Sequence, residues 1–170
     1  MRYVLSALLF LLSACTGIPE GVTPVSGFEL HRYLGTWYEI ARLDHRFERG
    51  LSDIRAEYSL RDDGGVKVIN SGFNAEEGRR TAAEGKAYFV DKPDVGRLEV
   101  SFFGPFYGAY NIIALDKTAY RYAMIAGPNR EYFWILARTP TLDQQTQKAL
   151  LSEAKALGFA TEKLIFDSHD

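Results

Sequence analysis

The side chains able to do covalent, acid–base or metal chemistry are few and scattered. Cys15 is the single cysteine of a 170-residue chain, so no internal disulfide can form; the thiol is a buried bystander, a nucleophile or a modification site. His31, His45 and His169 are widely spaced and show no metal-ligand pattern. The carboxylate pairs Asp62-Asp63 and Glu76-Glu77 sit in turn-like contexts, where hydration accounts for them. No G-x-S-x-G elbow, phosphate loop, G-x-G-x-x-G or H-E-x-x-H occurs. No catalytic residue, metal ligand or cofactor is assigned, and the chain is not read as an enzyme. It offers apolar surface instead: 46% of residues are hydrophobic, with Tyr 10 and Phe 11.

Charge narrows the partners further. Lys+Arg 20 against Asp+Glu 22 gives a formal net charge of -2 and no cationic stripe for phosphates, which disfavours nucleic acid. A chain of this length buries roughly 70% of its unfolded surface, enough for one domain without a metal or disulfide.

The N-terminus reads as an address. Arg2 supplies a positive start, Tyr3 to Leu12 an uncharged apolar run, and small residues follow, the order of a secretory signal. The run is too short for a membrane span, which needs about 20 apolar residues. Leu12-Ser13-Ala14-Cys15 resembles the lipobox of bacterial lipoproteins. That resemblance implies cleavage of residues 1–14, acylation of Cys15, and, with Thr16 where an Asp would retain the protein in the inner membrane, anchorage in outer-membrane lipid. Residues 15–26, with Gly17, Pro19, Gly21 and Pro24, read as a lipidated N-terminus and extended linker holding the domain (27–170) off the bilayer.

Beyond the linker, period-two apolar runs alternate with turn signals. Ile54, Ala56, Tyr58 and Leu60 alternate with polar residues, and Asp62-Asp63-Gly64-Gly65 signals a hairpin into the run from Val66 to Phe73. Runs from Trp37, Ala82, Arg97, Ala109, Tyr120 and Tyr132 complete the set. Eight antiparallel strands at hairpin spacing predict an all-β, up-and-down barrel, whose closure removes exposed edges. The runs Asn111 to Leu115 and Phe133 to Ala137 are apolar on both faces and need an outer cover. Thr141 to Gly158 supplies it: a C-terminal helix with a Thr141/Gln144 capping box and Gly158 at its end. Lys163 to Phe166 is a candidate ninth strand.

Periodicity leaves open whether such a barrel is filled by its own side chains or holds one small ligand. Gly35-Thr36-Trp37-Tyr38, then Ala114-Leu115-Asp116 with Tyr120, then Ile135-Leu136-Ala137-Arg138 match in order the signature elements of the lipocalins. The stretches Tyr33 to Arg42, His45 to Gly50 and Phe102 to Gly108 resemble the bacterial outer-membrane lipoprotein subgroup. The resemblance implies a barrel closed at one end and open at the other that binds, stores or carries fatty acids, such as palmitate, or lysophospholipids. The alternatives are a structural envelope protein with a filled barrel and, behind it, a lipid-modifying enzyme.

Roles follow as expectations. Trp37 plugs the closed end with Arg138 across its ring, a cation–π contact of about 0.5–2 kcal/mol; Gly35 and Asp116 belong to the same signature. The lumen is expected to be lined by Ala56, Tyr58, Val100, Phe102, Tyr107, Tyr110, Ile112, Met124 and Trp134. His45, Arg46 and Arg49, on the connection at the open end, are candidates to meet a carboxylate or phosphate head group. The aromatic cluster Phe103, Phe106 and Tyr107 either supports a homodimer or lines the entrance.

Overall fold

The computed structural model describes residues 16–169; the signal segment 1–14 and Cys15 lie outside the described residues. Strands β1 (Gly35–Arg42), β2 (Leu51–Leu60), β3 (Val66–Asn74), β4 (Arg79–Phe89), β5 (Arg97–Phe103), β6 (Phe106–Leu115), β7 (Tyr122–Ala126) and β8 (Phe133–Ala137) follow in chain order. Each pairs antiparallel with the next, and β1 pairs with both β2 and β8, so the sheet closes into a barrel. A short strand β9 (Ile165–Phe166) joins β1 through Ala41 and Arg42. The connections after β1, β3, β5 and β7 form one end of the barrel. Those after β2, β4 and β6, with the short helix α1 (Leu30–Tyr33), form the other.

Alternation along the strands separates two apolar cores. The inner one gathers Trp37, Ala56, Tyr58, Val66, Val68, Ala87, Leu98, Ile112 and Ile125. The outer one gathers the opposite faces of the same wall, Ile113, Met124, Ala126, Phe133, Ile135 and Ala137, with Leu150 and Ala154. The last two lie on helix α2 (Gln144–Ala156), which explains why these strands are apolar on both sides. The helix begins later than the Thr141/Gln144 box predicts. Asp143 is the N-cap, its carboxylate accepting from the Thr146 amide at 2.9 Å and hydroxyl at 2.7 Å, so the acidic side chain nearer the first turn replaces the box. Gly158 ends the helix in the left-handed region at φ 85.

The expected linker is not free. Val22 is buried in the outer core, the Val25 amide donates to Ile112 O at 2.8 Å, and the Gly96 amide donates to Val25 O at 2.8 Å. Ser26 bridges to Val95. Backbone groups left unpaired on the wall recruit this segment, which therefore runs down the barrel instead of away from it.

Candidate functional site

The closed end is built around Trp37, which is fully buried. Its indole Nε1 donates to Tyr33 O at 2.8 Å, and the Tyr33 ring lies against it with centroids 4.6 Å apart. The Arg138 guanidinium carbon sits 4.1 Å from the Trp37 ring centroid. Arg138 also donates to the carbonyls of Arg32 at 2.7 Å, Thr36 at 2.9 Å and Tyr120 at 3.3 Å, stitching α1, β1 and the β6–β7 turn together. Gly35 has φ 92, a conformation that L side chains rarely adopt. Asp116 accepts from Arg121 Nε at 2.6 Å and from turn amides, which fixes the same end.

Above this floor lies a narrow cavity of about 50 Å³, bordered chiefly by Tyr58, Val68, Ala87, Val100, Phe102 and Tyr110. Gly85 admits Phe102: a Cβ there would stand 2.8 Å from its ring. Of the expected lumen residues, Tyr58, Val100, Phe102 and Tyr110 border the cavity, while Ala56, Ile112 and Trp134 belong to the inner core without touching it. Met124 does not face the lumen. It packs in the outer core, because Ile125 takes the inward position in a strand that is apolar on both faces. Tyr107 is likewise on the outer wall, its ring 6.5 Å from that of Tyr88; Tyr110, three residues on, is the inward tyrosine of that strand.

The polar atoms of the cavity were not legible from alternation. Tyr110 Oη lies 2.7 Å from Tyr33 Oη and 2.8 Å from Tyr58 Oη, a buried chain of hydroxyls. Burial pushes all three phenols well above their ordinary range, so they stay neutral. Asn70 also borders the cavity, and its buried Oδ1 has no hydrogen-bond partner.

Toward the open end, ionic groups fold inward. Arg42 is 4% exposed and donates to Glu39 Oε1 at 2.7 Å. Glu48, from the β1–β2 connection, accepts from Trp134 Nε1 at 3.1 Å, and its Oε2 stands 2.9 Å from His45 Nε2. That last contact is close but poorly aligned for a hydrogen bond. Burial, then the neighbouring Glu48 charge, raise the Glu39 carboxyl well above its ordinary value despite Arg42. Burial also pushes Glu48 up, but His45 and the Trp134 indole outweigh it and the net direction is down. Of the head-group candidates, His45 is turned inward, whereas Arg46 lies over the Phe47 ring at 5.1 Å and Arg49 pairs with Asp44 at 2.7 Å on the exposed rim. Arg42 is the cation that sequence reasoning missed. Its signal was Glu39, two positions after the inward Trp37 and therefore inward itself, where a buried carboxylate calls for a counter-charge.

An eight-stranded closed barrel with an apolar lumen, one plugged end and a helix outside defines a class of small-ligand-binding barrels. The lipocalin-like domain matches residues 28–169, and the chain belongs to the lipocalin family. It is 54% identical over 156 residues to outer membrane lipoprotein Blc of Vibrio cholerae, covering 92% of this chain and 91% of that protein. It is 55% identical over 159 residues to the protein of the same name from Escherichia coli, covering 92% and 89%. Temperature-induced lipocalin-1 of Arabidopsis thaliana is 37% identical over 149 residues, covering 82% and 78%. In fold, the chain matches insecticyanin from the tobacco hornworm Manduca sexta with a TM-score of 0.71 at 23% identity, over 91% of this chain and 87% of that one.

Proposed function

We propose that this chain is a lipoprotein of the outer membrane, acylated on Cys15, that binds one acyl chain of a fatty acid or lysophospholipid in its barrel. The carrying observation is the narrow apolar cavity inside the closed barrel, bordered by Tyr58, Val100, Phe102 and Tyr110. At about 50 Å³ it is smaller than a long acyl chain, so binding requires lining side chains such as Phe102 to move aside. Transfer of sixteen methylenes is worth roughly 13 kcal/mol gross at about 0.8 each. After association and ordering costs, micromolar affinity, about 8 kcal/mol, is within reach.

The mouth fits an anionic head group. Arg42, buried and hydrogen-bonded to Glu39 Oε1 at 2.7 Å, supplies the cation. The names of the Blc relatives support the outer-membrane address. The neutral phenols of Tyr33, Tyr58 and Tyr110 favour binding over catalysis, since none is poised to take or give a proton near pH 7.

Titration of the purified protein with a fluorescent fatty acid, with native mass spectrometry for retained lipid, tests the reading. Val100→Trp, which fills the cavity, is expected to abolish binding while the barrel folds. A lipid-free protein that binds no acyl chain would defeat it in favour of the filled structural barrel. Mass spectrometry of the membrane form checks Cys15 separately: an unmodified thiol still joined to Ala14 excludes acylation.

A further inference from the structure

We infer that the open end of the barrel docks on the membrane that holds the lipid anchor, its rim phenylalanines inserted into the bilayer. The inference rests on acylation of Cys15 and goes beyond it, because an anchor alone does not orient a domain.

Orientation comes from where the chain leaves the barrel. The Gly17 carbonyl accepts from Asn111 Nδ2 at 3.0 Å, and Gly17 lies against Pro128 O on the β7–β8 connection. Arg130, on the same connection, donates to Glu20 O at 2.5 Å. The first described residues are thus fastened to the open end. Two residues of chain span at most about 7 Å, so an acylated Cys15 leaves that end no slack to stand off from the bilayer.

The same end carries exposed aromatics. Phe47 is 59% exposed, Phe73 40%, Phe103 68% and Phe106 78%, and they lie on or beside the β1–β2, β3–β4 and β5–β6 connections. All four stand on or beside connections at one end of the barrel, and apolar side chains gathered at one end mark a contact surface. A bilayer fits better than a charged partner, because the rim charges cancel. Arg46, Arg49 and Arg79 balance Asp44, Glu76 and Glu77, and Arg49 and Arg79 already pair with Asp44 and Glu77. Docking is therefore apolar, tolerant of salt and indifferent to lipid charge. An acyl chain would pass between bilayer and lumen without crossing bulk water.

The test uses the full acylated protein in phosphatidylcholine vesicles doped with a nitroxide lipid. A fluorophore is placed on Phe106→Cys at the open end or on Leu60→Cys at the other; both parent side chains are exposed, so folding is spared. Quenching at position 106 is expected to exceed that at 60 by at least about threefold, and to persist in about 1 M salt, where the screening length is roughly 3 Å. Equal quenching at both positions, or stronger quenching at 60, overturns the inference. So does a label at 106 that is shielded but unquenched, the result expected if the rim pairs with a second copy. A chain that fails to sediment with the vesicles defeats acylation as well; one that sediments with position 106 unquenched defeats the docking alone.

Discussion

Glu39 and Arg42, three residues apart on one strand, both point into the barrel, with a 2.7 Å hydrogen bond between them. Regular alternation would send them to opposite faces. The register of β1 against β8 shifts between Glu39 and Ala41, and this bulge adds the residue that returns Arg42 to the lumen. A local irregularity thus places the buried cation beside Glu39.

Removing that cation leaves Glu39 and Glu48 without their shared partner. Arg42→Met is expected to destabilise the fold by about 3 kcal/mol, the usual cost of breaking a buried pair from one side. Adding Glu39→Gln should recover part of the loss, since the orphaned carboxylate is then gone. Urea unfolding of the three variants reads the coupling directly; strict additivity would mean that the pair does not interact.

The pH dependence has opposite signs on the two limbs. The folded pKa of Glu39 is raised from 4.5, so its contribution is full below that value and is lost as pH rises through the folded pKa. Glu48, Asp53 and Asp116 are lowered although burial opposes the shift: contacts with His45, His169 and Arg121 respectively outweigh it. Their contribution is full above the ordinary carboxylate range and is lost as pH falls through their folded values. Glu39→Gln should therefore flatten the decline above about pH 4.5 and leave the acid limb in place. Unfolding free energies measured between about pH 3 and 8 decide it, and an unchanged upper limb would contradict the assignment.

Inner and outer positions were legible wherever one face of a strand is polar. Ala56, Tyr58, Val100 and Phe102 alternate with charged or hydroxyl residues, and all face inward. In β7, Met124 and Ile125 are equally apolar, so composition gave no parity, and the helix-facing side is known only from the packing of Leu150 and Ala154. Met124→Ala should accordingly destabilise by about 2–5 kcal/mol as a core truncation, with the affinity of the folded fraction for an acyl chain unchanged. Weakened binding at full folding would put Met124 back in the lumen.

Asn70 carries the opposite sign. Its Oδ1 is buried beside the cavity without a partner, a cost of about 1–3 kcal/mol in such settings. Asn70→Leu, similar in volume, is expected to raise stability by about 1 kcal/mol and to tighten binding of a plain fatty acid. A lower melting temperature together with weaker binding would show that Asn70 serves a ligand or water instead of standing unsatisfied.

The chain terminus closes a gap in the wall. Pairing of β1 with β2 stops at Tyr38 and Arg55, and beyond it β9 lies against β1 while the Asp167 carboxylate accepts from the amides of Asp53 at 3.0 Å and Ile54 at 2.6 Å. His169 bridges the same seam, 2.8 Å from Asp53 Oδ1 and 2.6 Å from Glu39 O, and is almost wholly buried. Asp53 itself sits at φ 47, a strained conformation held by these contacts and by Arg55 and Arg80. Side chains thus replace ladder bonds at the open end, where a mouth has to yield to admit a chain. Deleting the residues after Phe166 should cost about 2–4 kcal/mol, from two charge-assisted bonds and the bridge. It should also speed hydrogen exchange of the Asp53 and Ile54 amides far more than that of Tyr58, which remains paired with Val68. Protection unchanged at Ile54 after the deletion would mean that the seam is held by β2 and β3 alone.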